Sequence, residues 1–382
     1  MCGINGITKV DRDCITRMNA ALEHRGPDGS DIFVGSAVTL GHDRLAVIDT
    51  SSGGDQPMHS QSGRYVIVYN GELYNYKELR KELETEYSFQ TQSDTEVFLA
   101  ALEVWGTEAL ERVRGIFAFA LYDTKDDTLL IARDHLGVKP LYYRFEDGVL
   151  YFSSELNGLL AGLDTPKLDL SSVALYLNIQ YVPSPNTLVE GVKKLRPGHL
   201  IKFKSGEQLQ IERFYNPDSQ HRQAKKEELY QTLDKAVERQ LVSDRPIGTF
   251  ISGGLDSSII LHHMSAHSQN VKTFSTGFEM VAGAEDEDEK FNADAKLAER
   301  TAKIYGAHHT TFQVSLNDIR SNLETILQSV DEPIANPTVV SQYFLSKWVR
   351  DTSVVVALGG DGGDELFGGY TRHRMAMAAY WF

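Results

Sequence analysis

The sequence is poor in basic charge, in cysteine and in long apolar runs. Its 53 Asp and Glu outnumber its 38 Lys and Arg, which gives a formal net charge of −15. Because a nucleic-acid backbone is bound through basic patches, this balance argues against nucleic acid as the main partner. No stretch approaches the roughly 18 consecutive apolar residues of a membrane span, so we expect no membrane partner. The densest charged run, "EDEDEK" at 285–290, is typical of a solvated loop.

The two cysteines, Cys2 and Cys14, are too few for a disulfide framework, and a reducing compartment fits them. The first residues lack the apolar core of a secretory signal, so we expect a cytoplasmic protein. What the chain does have is length and apolar mass. Its 382 residues, 41% of them hydrophobic, are enough for two globular domains.

The first part of the chain, up to about residue 160, contains mostly short strand patterns between turns. The β-rich runs bounded by glycine and aspartate are 65–71, 117–123, 128–134 and 141–145. Helical patterns interrupt them near 75–86 and 94–105, and "SDTE" at 93–96 has the form of a capping box. A block of strands with few helices predicts a layered α+β domain.

The second half alternates strand and helix patterns. Prolines between about 165 and 220 predict strands and loops that lead out of the first domain. The patterns that follow are a helix at 224–243, a strand at 246–251 with a glycine turn and a helix, a strand at 272–278, a helix near 293–306 and a strand at 353–359. This alternation predicts a doubly wound parallel sheet.

The first glycine loop, "SGGLDSS" at 252–258, follows a strand and opens a helix, where backbone N–H groups bind phosphate. Its small and hydroxyl residues are Ser252, Gly253, Gly254, Ser257 and Ser258. Asp256 would repel phosphate directly, so we interpret it as a Mg²⁺ ligand that bridges to pyrophosphate. The loop lacks the lysine that a Walker A motif carries after its last glycine.

The second glycine loop, "LGGDGGDELFGGY" at 358–370, also follows a strand and carries Asp361, Asp364 and Glu365. Taken alone, such a loop could be a tight turn. Because loops at the carboxyl ends of parallel strands meet in one crevice, the two loops together predict a single Mg²⁺–nucleotide site.

The chain starts "MCGINGI", and removal of Met1 would leave Cys2 with a free α-amine. The ordinary pKa of an α-amine is about 8, so this amine could deprotonate its own thiol, directly or through water. Nucleophile and base would then lie in one residue. A cysteine at position 2 is by itself a weak signal.

Further motifs strengthen it. The stretches "EHRGPDG" (23–29), "HDRLAVID" (42–49), "YNGELYNY" (69–76), "QSDTEV" (92–97), "ARDHLGVKPLYY" (132–143), "SSELNGLL" (153–160) and "LRPGHL" (195–200) occur in this order. Together with the two glycine loops, they resemble the glutamine-hydrolysing asparagine synthetase family, whose first domain is a class II glutamine amidotransferase. The resemblance covers essentially the whole chain.

The resemblance implies a fold for each half. Residues 1–213 are expected to form a glutaminase domain with the N-terminal-nucleophile hydrolase fold, an antiparallel αββα sandwich. Residues 214–382 are expected to form an ATP-binding domain with the adenine-nucleotide α-hydrolase-like (PP-loop) fold and a parallel sheet. The chain ends at "AAYWF", before the family's usual end. We therefore expect this second domain to be incomplete and to lack a lysine that contacts pyrophosphate in the family; whether the ending is natural or a truncation stays open.

The resemblance also implies roles in binding glutamine. Cys2 attacks the amide, and the Asn70 side chain and the Gly71 N–H form the oxyanion hole. Arg44 pairs with the α-carboxylate, while Asp94 takes the α-ammonium with Glu72 nearby.

For ATP, the resemblance implies that the backbone at Ile251, Thr276, Gly359 and Gly360 binds the nucleotide, and that Asp256 and Asp364 bind Mg²⁺. Asp361 stands where many asparagine-forming members carry Glu, so it is a candidate proton acceptor on a shorter side chain. The expected reaction joins ammonia from glutamine to an adenylated carboxylate, which yields an amide, AMP and pyrophosphate. The expected partners are glutamine, ATP and a carboxylate acceptor, with a homodimer as a candidate assembly.

The acceptor is open at this point. Asparagine-forming relatives carry paired threonines and an arginine before the last strand, whereas this chain has "DEPIANPTVVSQYFLSK" at 331–347. Here Asn336, Thr338 and Ser341 would suit a sugar uronic acid of surface polysaccharide synthesis; aspartate held by other residues is the alternative. Two further readings are a glutaminase without ligase activity and a non-enzymatic sensor of glutamine or ATP.

Overall fold

A computed structural model describes residues 1–217, 225–280 and 292–381. The chain divides into two compact units. The first is Met1–His221 with Val330–Ala335, and the second is Arg222–Ser329 with Asn336–Phe382. The acidic run at 285–290 lies outside the described residues. Within the described ranges, no helix is both long and apolar enough to cross a membrane.

The first unit is built mainly of antiparallel strands. Its described strands are β1 (Gly3–Ile7), β2 (Gly29–Val34), β3 (Thr39–Arg44), β4 (Met58–His59), β5 (Tyr65–Leu73), β6 (Gly115–Asp123), β7 (Thr128–Arg133), β8 (Tyr142–Glu146), β9 (Val149–Ser153), β10 (Val192–Lys194), β11 (His199–Lys204) and β12 (Gln210–Arg213). Its described helices are α1 (Arg12–Leu22), α2 (Tyr76–Leu83), α3 (Asp94–Trp105), α4 (Ala109–Arg112), α5 (Leu156–Ala161) and α6 (Leu170–Ile179), with 3₁₀ turns at Glu23–Arg25, Ser52–Gly54 and Gly106–Glu108.

These strands form two six-stranded sheets, with strand orders β10-β8-β9-β1-β3-β2 and β12-β11-β7-β6-β5-β4. The sheets face each other across a buried core that includes Ile4 and Phe152 of the first sheet and Val68 of the second. Helices α1 and α5 pack on the outer side of the first sheet. Helices α2 and α3 pack on the outer side of the second. The predicted αββα sandwich is confirmed.

The predicted start of α3 is correct, but the predicted capping box is wrong. Ser93 accepts a hydrogen bond from the N–H of Thr95 at 3.1 Å, as an N-cap residue does. The Glu96 carboxylate does not reach back to Ser93, because it already accepts bonds from the N–H groups of Gln90 (2.8 Å) and Thr91 (2.7 Å). It therefore closes the preceding loop rather than the helix end.

The second unit contains a parallel sheet. Its described strands are β13 (Ile247–Phe250), β14 (Lys272–Phe278), β15 (His308–Val314) and β16 (Val356–Leu358), in the order β15-β14-β13-β16. Its described helices are α7 (Lys226–Gln240), α8 (Leu255–His267), α9 (Ala293–Ile304), α10 (Leu316–Gln328), α11 (Thr338–Arg350), α12 (Gly363–Phe367) and α13 (Thr371–Trp381). The strand pairs are parallel, as predicted from the alternation of strand and helix.

Candidate active sites

Cys2 lies directly ahead of β1 in the first unit. Its Sγ is 3.4 Å from the backbone N of Leu45, and its backbone carbonyl accepts a 2.9 Å hydrogen bond from Nε of Arg25. Arg25 is buried and forms an ion pair with Glu155 at 2.5 Å. The backbone at Cys2 is thus held by a charged pair from two distant parts of the chain. The motifs containing Arg25 and Glu155 were recognised in the sequence, but this role was not predicted.

The amino terminus itself lies in this site. The Met1 side chain is exposed, whereas its amino group is buried, and burial lowers the pKa of that group to about 5. The positive charges of Lys139 and Arg25 act in the same direction, while Cys2 and Glu72 oppose them. The environment of the Met1 amino group therefore disfavours its protonated form.

Asn70 and Gly71 lie on β5. The Asn70 side chain is fully buried, and neither its Nδ2 nor its Oδ1 has a hydrogen-bond partner among the described residues. A buried amide without partners costs free energy, so its retention here points to a ligand group that it binds. A Cβ at Gly71 would lie 2.7 Å from the Tyr69 ring and would also collide with the carbonyl oxygen of Ile116. Only glycine fits this position.

Two carboxylates accompany them. Asp94 is buried and accepts a 2.9 Å hydrogen bond from the N–H of Leu73, yet burial raises its pKa to about 6. Burial and the charge of Asp94 also raise the pKa of Glu72 well above its ordinary value. A pair of desolvated, mutually repelling carboxylates is a suitable site for a cation such as an α-ammonium group.

Arg44, at the end of β3, is buried, and its guanidinium is held by the following loop. It donates to the Ser51 carbonyl and to Asp55 Oδ1, both at 2.6 Å, and to the carbonyl of Asp49. Leu45, the next residue, contacts the Cys2 sulfur. The structure therefore brings together the predicted glutamine-binding residues of the first unit, while Arg44 already has protein partners.

In the second unit, the first glycine loop joins β13 to α8. Gly253 has a φ of +74°, and a Cβ there would lie 2.9 Å from the backbone N of Ala298, so the loop requires glycine. Ser257 Oγ is 3.3 Å from both Ser252 Oγ and the Gly254 carbonyl, and Ser258 Oγ donates to that carbonyl at 2.7 Å. The N-terminus of α8, a thirteen-residue helix, opens at this loop.

The second glycine loop follows β16, which pairs with β13. A Cβ at Gly360 would lie 2.7 Å from the backbone N of Ser257, and one at Gly363 would lie 2.9 Å from Asp256 Oδ1. The glycines therefore allow the two loops to touch. Ile251 is buried directly after β13, and Thr276 lies near the carboxyl end of β14, so both are at the same edge of the sheet. The predicted convergence of the two loops is confirmed.

The carboxylates at this edge repel one another. Burial, and then the negative charges of Asp364 and Glu365, raise the pKa of Asp256. Asp361 is exposed. Among the residues that the structure describes, no group of three or more His, Cys, Asp or Glu side chains could hold a metal by itself. The carboxylate oxygens of Asp256 and Asp364 are the kind of ligand that Mg²⁺ prefers, and such an ion would need further ligands from elsewhere.

The beginning of the segment 331–347 is bonded to the first unit. Asp331 accepts hydrogen bonds from the N–H groups of Leu156 (2.8 Å) and Asn157 (3.2 Å), at the start of α5. Glu332 forms an ion pair with Lys194. Both acidic residues thus belong to the first unit. Asn336 Oδ1 accepts a hydrogen bond from the N–H of Thr338 at 3.1 Å, at the start of α11. This side-chain oxygen is therefore already bonded within the protein.

The fold defines the class of the protein: a unit with the N-terminal-nucleophile hydrolase fold, followed by an α/β unit with a parallel sheet of the PP-loop type. Comparison with known families agrees. Residues 1–215 match the glutamine amidotransferase domain, and residues 228–381 match asparagine synthase. The chain belongs to the family of glutamine-hydrolysing asparagine synthetases.

Individual relatives show the extent of the match. The chain is 35% identical over 391 residues to "Asparagine synthetase [glutamine-hydrolyzing] 1" of Bacillus subtilis (strain 168), covering 99% of this chain and 60% of the relative. It is 34% identical to "Putative asparagine synthetase [glutamine-hydrolyzing] 2" of Methanocaldococcus jannaschii (98% and 76% covered) and 32% identical to "Asparagine synthetase B [glutamine-hydrolyzing]" of Escherichia coli (strain K12) (97% and 65%). The chain thus spans about three fifths of the length of the Bacillus relative.

Proposed function

We propose that this chain hydrolyses glutamine at Cys2 and uses Mg²⁺-ATP to join the released ammonia to aspartate, which yields asparagine, AMP and pyrophosphate. The observation that carries the proposal is the buried Asn70 amide, which has no partner among the described residues and lies on the strand beside the amino-terminal cysteine site. Membership of the family supplies the reaction for which such a site is suited.

In the first half-reaction, the Cys2 thiol attacks the glutamine amide carbon after Met1 has been removed. Its proton passes to the α-amine of the same residue and then to the departing ammonia. The Asn70 Nδ2–H and the Gly71 N–H donate to the oxygen that becomes negative. Water then cleaves the thioester by the same route, which releases glutamate and restores the thiol.

Recognition of the substrate is proposed from charge. We assign Asp94 and Glu72 to the α-ammonium group, whose positive charge would offset their mutual repulsion. Arg44 is assigned to the α-carboxylate. Some of its guanidinium N–H groups, which now donate to the carbonyls of Ser51 and Asp49, would then have to donate to the substrate instead.

In the second half-reaction, the two glycine loops are proposed to bind the nucleotide phosphates through backbone N–H groups, with Asp256 and Asp364 as the Mg²⁺ ligands. Bound Mg²⁺ would neutralise charge on the pyrophosphate as it leaves. The remaining assigned groups are the serines of the first loop, the backbone at Ile251, Thr276, Gly359 and Gly360, and Asp361 as proton acceptor. A cytoplasmic location and a homodimer remain predictions from the sequence.

Aspartate is proposed as the acceptor because the relatives above bear names of asparagine synthetases. These names do not favour the sugar-acid, glutaminase-only or sensor alternatives. Asp331 and Glu332 belong to the first unit and are not proposed as binding groups for aspartate.

The test is glutamine-dependent formation of AMP and pyrophosphate from ATP, with aspartate or a nucleotide-linked uronic acid as acceptor. It should be run on this chain and on a version extended to the length of the Bacillus relative. We expect saturable asparagine formation with aspartate in the version that is active. Amidation of the uronic acid in preference to aspartate would contradict the proposed acceptor, and ammonia release without any AMP in both versions would leave only a glutaminase.

Replacement of Asn70 tests the oxyanion hole separately. We expect Asn70→Ala to lower kcat for glutamine hydrolysis by about 100- to 1,000-fold with little change in KM, because the lost donor acts mainly on the transition state. Steady-state ammonia release measures both constants. A matched control is Asn19→Ala, which removes another buried amide of the same unit that bonds to Asn5 at 2.9 Å. If Asn70→Ala raises KM alone, Asn70 binds the ground state and is not the oxyanion donor.

A further inference from the structure

Lys139 is a buried lysine whose place in the reaction has not been assigned. Its side chain belongs to a residue that is only 5% exposed, and no ion pair within 4.0 Å among the described residues includes it. Its backbone is fixed: its N–H donates to Asp134 Oδ2 at 2.9 Å, and its carbonyl accepts from Nε of Arg133 at 2.7 Å. Burying an unpaired ammonium is costly, so the site that retains it is expected to use its charge.

The register of the first sheet places Lys139 at the same edge as Cys2. Asn5 of β1 pairs with Ser153 of β9, and Ser153 pairs with Tyr142 of β8. Strands β1 and β8 are therefore parallel, with β9 between them. Cys2 precedes Asn5 by three residues, and Lys139 precedes Tyr142 by three residues. Two strand spacings, about 10 Å, separate β1 from β8, and a lysine side chain is long enough to span part of that distance.

The second sheet gives an independent constraint. The Asp134 carboxylate that holds the N–H of Lys139 also accepts a 3.2 Å hydrogen bond from the N–H of Phe117 on β6. Phe117 is paired with Gly71 on β5. One buried carboxylate therefore fixes Lys139 relative to the strand pair that carries the oxyanion-hole residues.

The charged groups that act most strongly on Lys139 come from four places in the first unit. They are Glu72 on β5, Arg25 on the 3₁₀ turn, Cys2 ahead of β1 and Asp134 on its own loop. Burial lowers the pKa of Lys139, and the charge of Glu72 opposes that shift. In return, Lys139 acts on the Glu72 carboxylate and on the amino group at the start of the chain.

We propose that Lys139 is a positioning residue for the amino-terminal nucleophile: its ammonium keeps the α-amine of Cys2 unprotonated and stabilises the negative sulfur, once Met1 has been removed. A cation beside an amine disfavours a second positive charge, and a cation beside a thiol favours the thiolate. The amine is then ready to take the thiol proton at neutral pH. This role rests on the proposed glutaminase function.

The test compares neutral and charged replacements in the whole chain after Met1 removal. Lys139→Met and Lys139→Gln remove the charge, Lys139→Arg keeps it, and Lys202→Met removes an exposed lysine of the same unit that pairs with Glu212. Two quantities are measured across the pH range: the rate of Cys2 alkylation by iodoacetamide, resolved by peptide mass spectrometry, and ammonia release from glutamine.

We expect the acid-side midpoint of both profiles to move up by about one pH unit in the two neutral variants, which makes them about tenfold slower on the acid limb. The sign follows because loss of a neighbouring cation raises the pKa of the α-amine, which then takes the thiol proton only at a higher pH. Lys139→Arg and Lys202→Met should retain the midpoint of the unaltered chain.

Neutral variants with an unchanged midpoint and a lower melting temperature would show that Lys139 is only structural and would overturn the proposal. If neither neutral variant folds, a displaced midpoint in Lys139→Arg overturns it and an unchanged one supports it. The two measurements also distinguish a failure of this proposal from a failure of the proposed glutaminase function. If the unaltered chain releases no ammonia, but the alkylation midpoint of the two neutral variants still shifts as expected, the glutaminase function is rejected and the assignment of Lys139 is retained.

Discussion

Cys2→Ala should abolish glutamine hydrolysis. The substitution keeps the α-amine, the backbone hydrogen bond from Arg25 to the residue-2 carbonyl and the surrounding carboxylates, and it removes only the sulfur that attacks the amide. Because the nucleophile and its base lie in one residue, no neighbouring group can replace the thiol. We expect ammonia release to fall to the background rate, a loss of at least about 1,000-fold. Any ammonia-dependent synthesis by the second unit should persist.

The second cysteine of the chain is a matched control. Cys14 is buried on α1, and its sulfur lies 3.6 Å from the Gly162 carbonyl. Cys14→Ala should lower the melting temperature through a small cavity and leave the kcat for glutamine hydrolysis unchanged. Mass spectrometry of active protein should show that Met1 is absent. Glutaminase activity in Cys2→Ala, or an active chain that retains Met1, would contradict the assignment of an amino-terminal nucleophile.

Residues near one another in the sequence account for the predictions that are confirmed. The runs 65–71 and 117–123 are almost continuously apolar up to their glycine and aspartate boundaries, as is typical of strands buried on both faces, and they form the central strands β5 and β6. The two glycine loops each follow a short apolar strand, so their common position was predictable from the rule for parallel sheets. In both cases the prediction depends on residues that are neighbours in the sequence.

Helix α6 shows where local patterns were misleading. Prolines flank this part of the chain, at Pro166 and Pro183, and they led to an expectation of strands and loops. The prolines lie outside Leu170–Ile179, and Asp169 accepts hydrogen bonds from the N–H groups of Ser171 and Ser172 as an N-cap. The sequence "DLSS" at 169–172 therefore contained a usable helix-start signal.

The charged contacts of the first site could not be predicted because they join distant positions. Arg25 and Glu155 are 130 residues apart, and Asp331 accepts from Leu156 across 175 residues. The interpretation of the segment 331–347 as an acceptor site rests on its correspondence to a stretch of the asparagine-forming relatives. That correspondence does not reveal that Asp331 and Glu332 bond to backbone N–H groups and to Lys194 of the first unit. Such pairings depend on the packing of whole sheets and helices.

Asp256→Asn should remove ATP-dependent chemistry and spare the glutaminase. The amide keeps the size of the side chain and its contact with Gly363, but it removes the negative charge that a Mg²⁺ ligand needs. Loss of one carboxylate from such a site costs about 3–4 kcal/mol of transition-state stabilisation, so we expect pyrophosphate–ATP exchange to fall by about 100- to 1,000-fold. The substitution should also relieve the repulsion by Asp364 and Glu365 that helps to raise the pKa of Asp256. In the absence of Mg²⁺, the variant should therefore be as stable as the unaltered chain or slightly more stable.

The effect of Mg²⁺-ATP on the melting temperature distinguishes a metal ligand from a carboxylate with only a structural role. If Asp256 binds Mg²⁺, then Mg²⁺ with ATP should raise the melting temperature of the unaltered chain and have little effect on Asp256→Asn. Asp294→Asn, which neutralises an exposed carboxylate at the start of α9, should behave like the unaltered chain in both assays. Binding of ATP can be followed by its effect on melting even if this chain, which spans about three fifths of the Bacillus relative, is too short for the exchange reaction. Equal stabilisation of the unaltered chain and Asp256→Asn by Mg²⁺-ATP would show that Asp256 is not a metal ligand, and the metal would then have to be sought at Asp364 and Glu365.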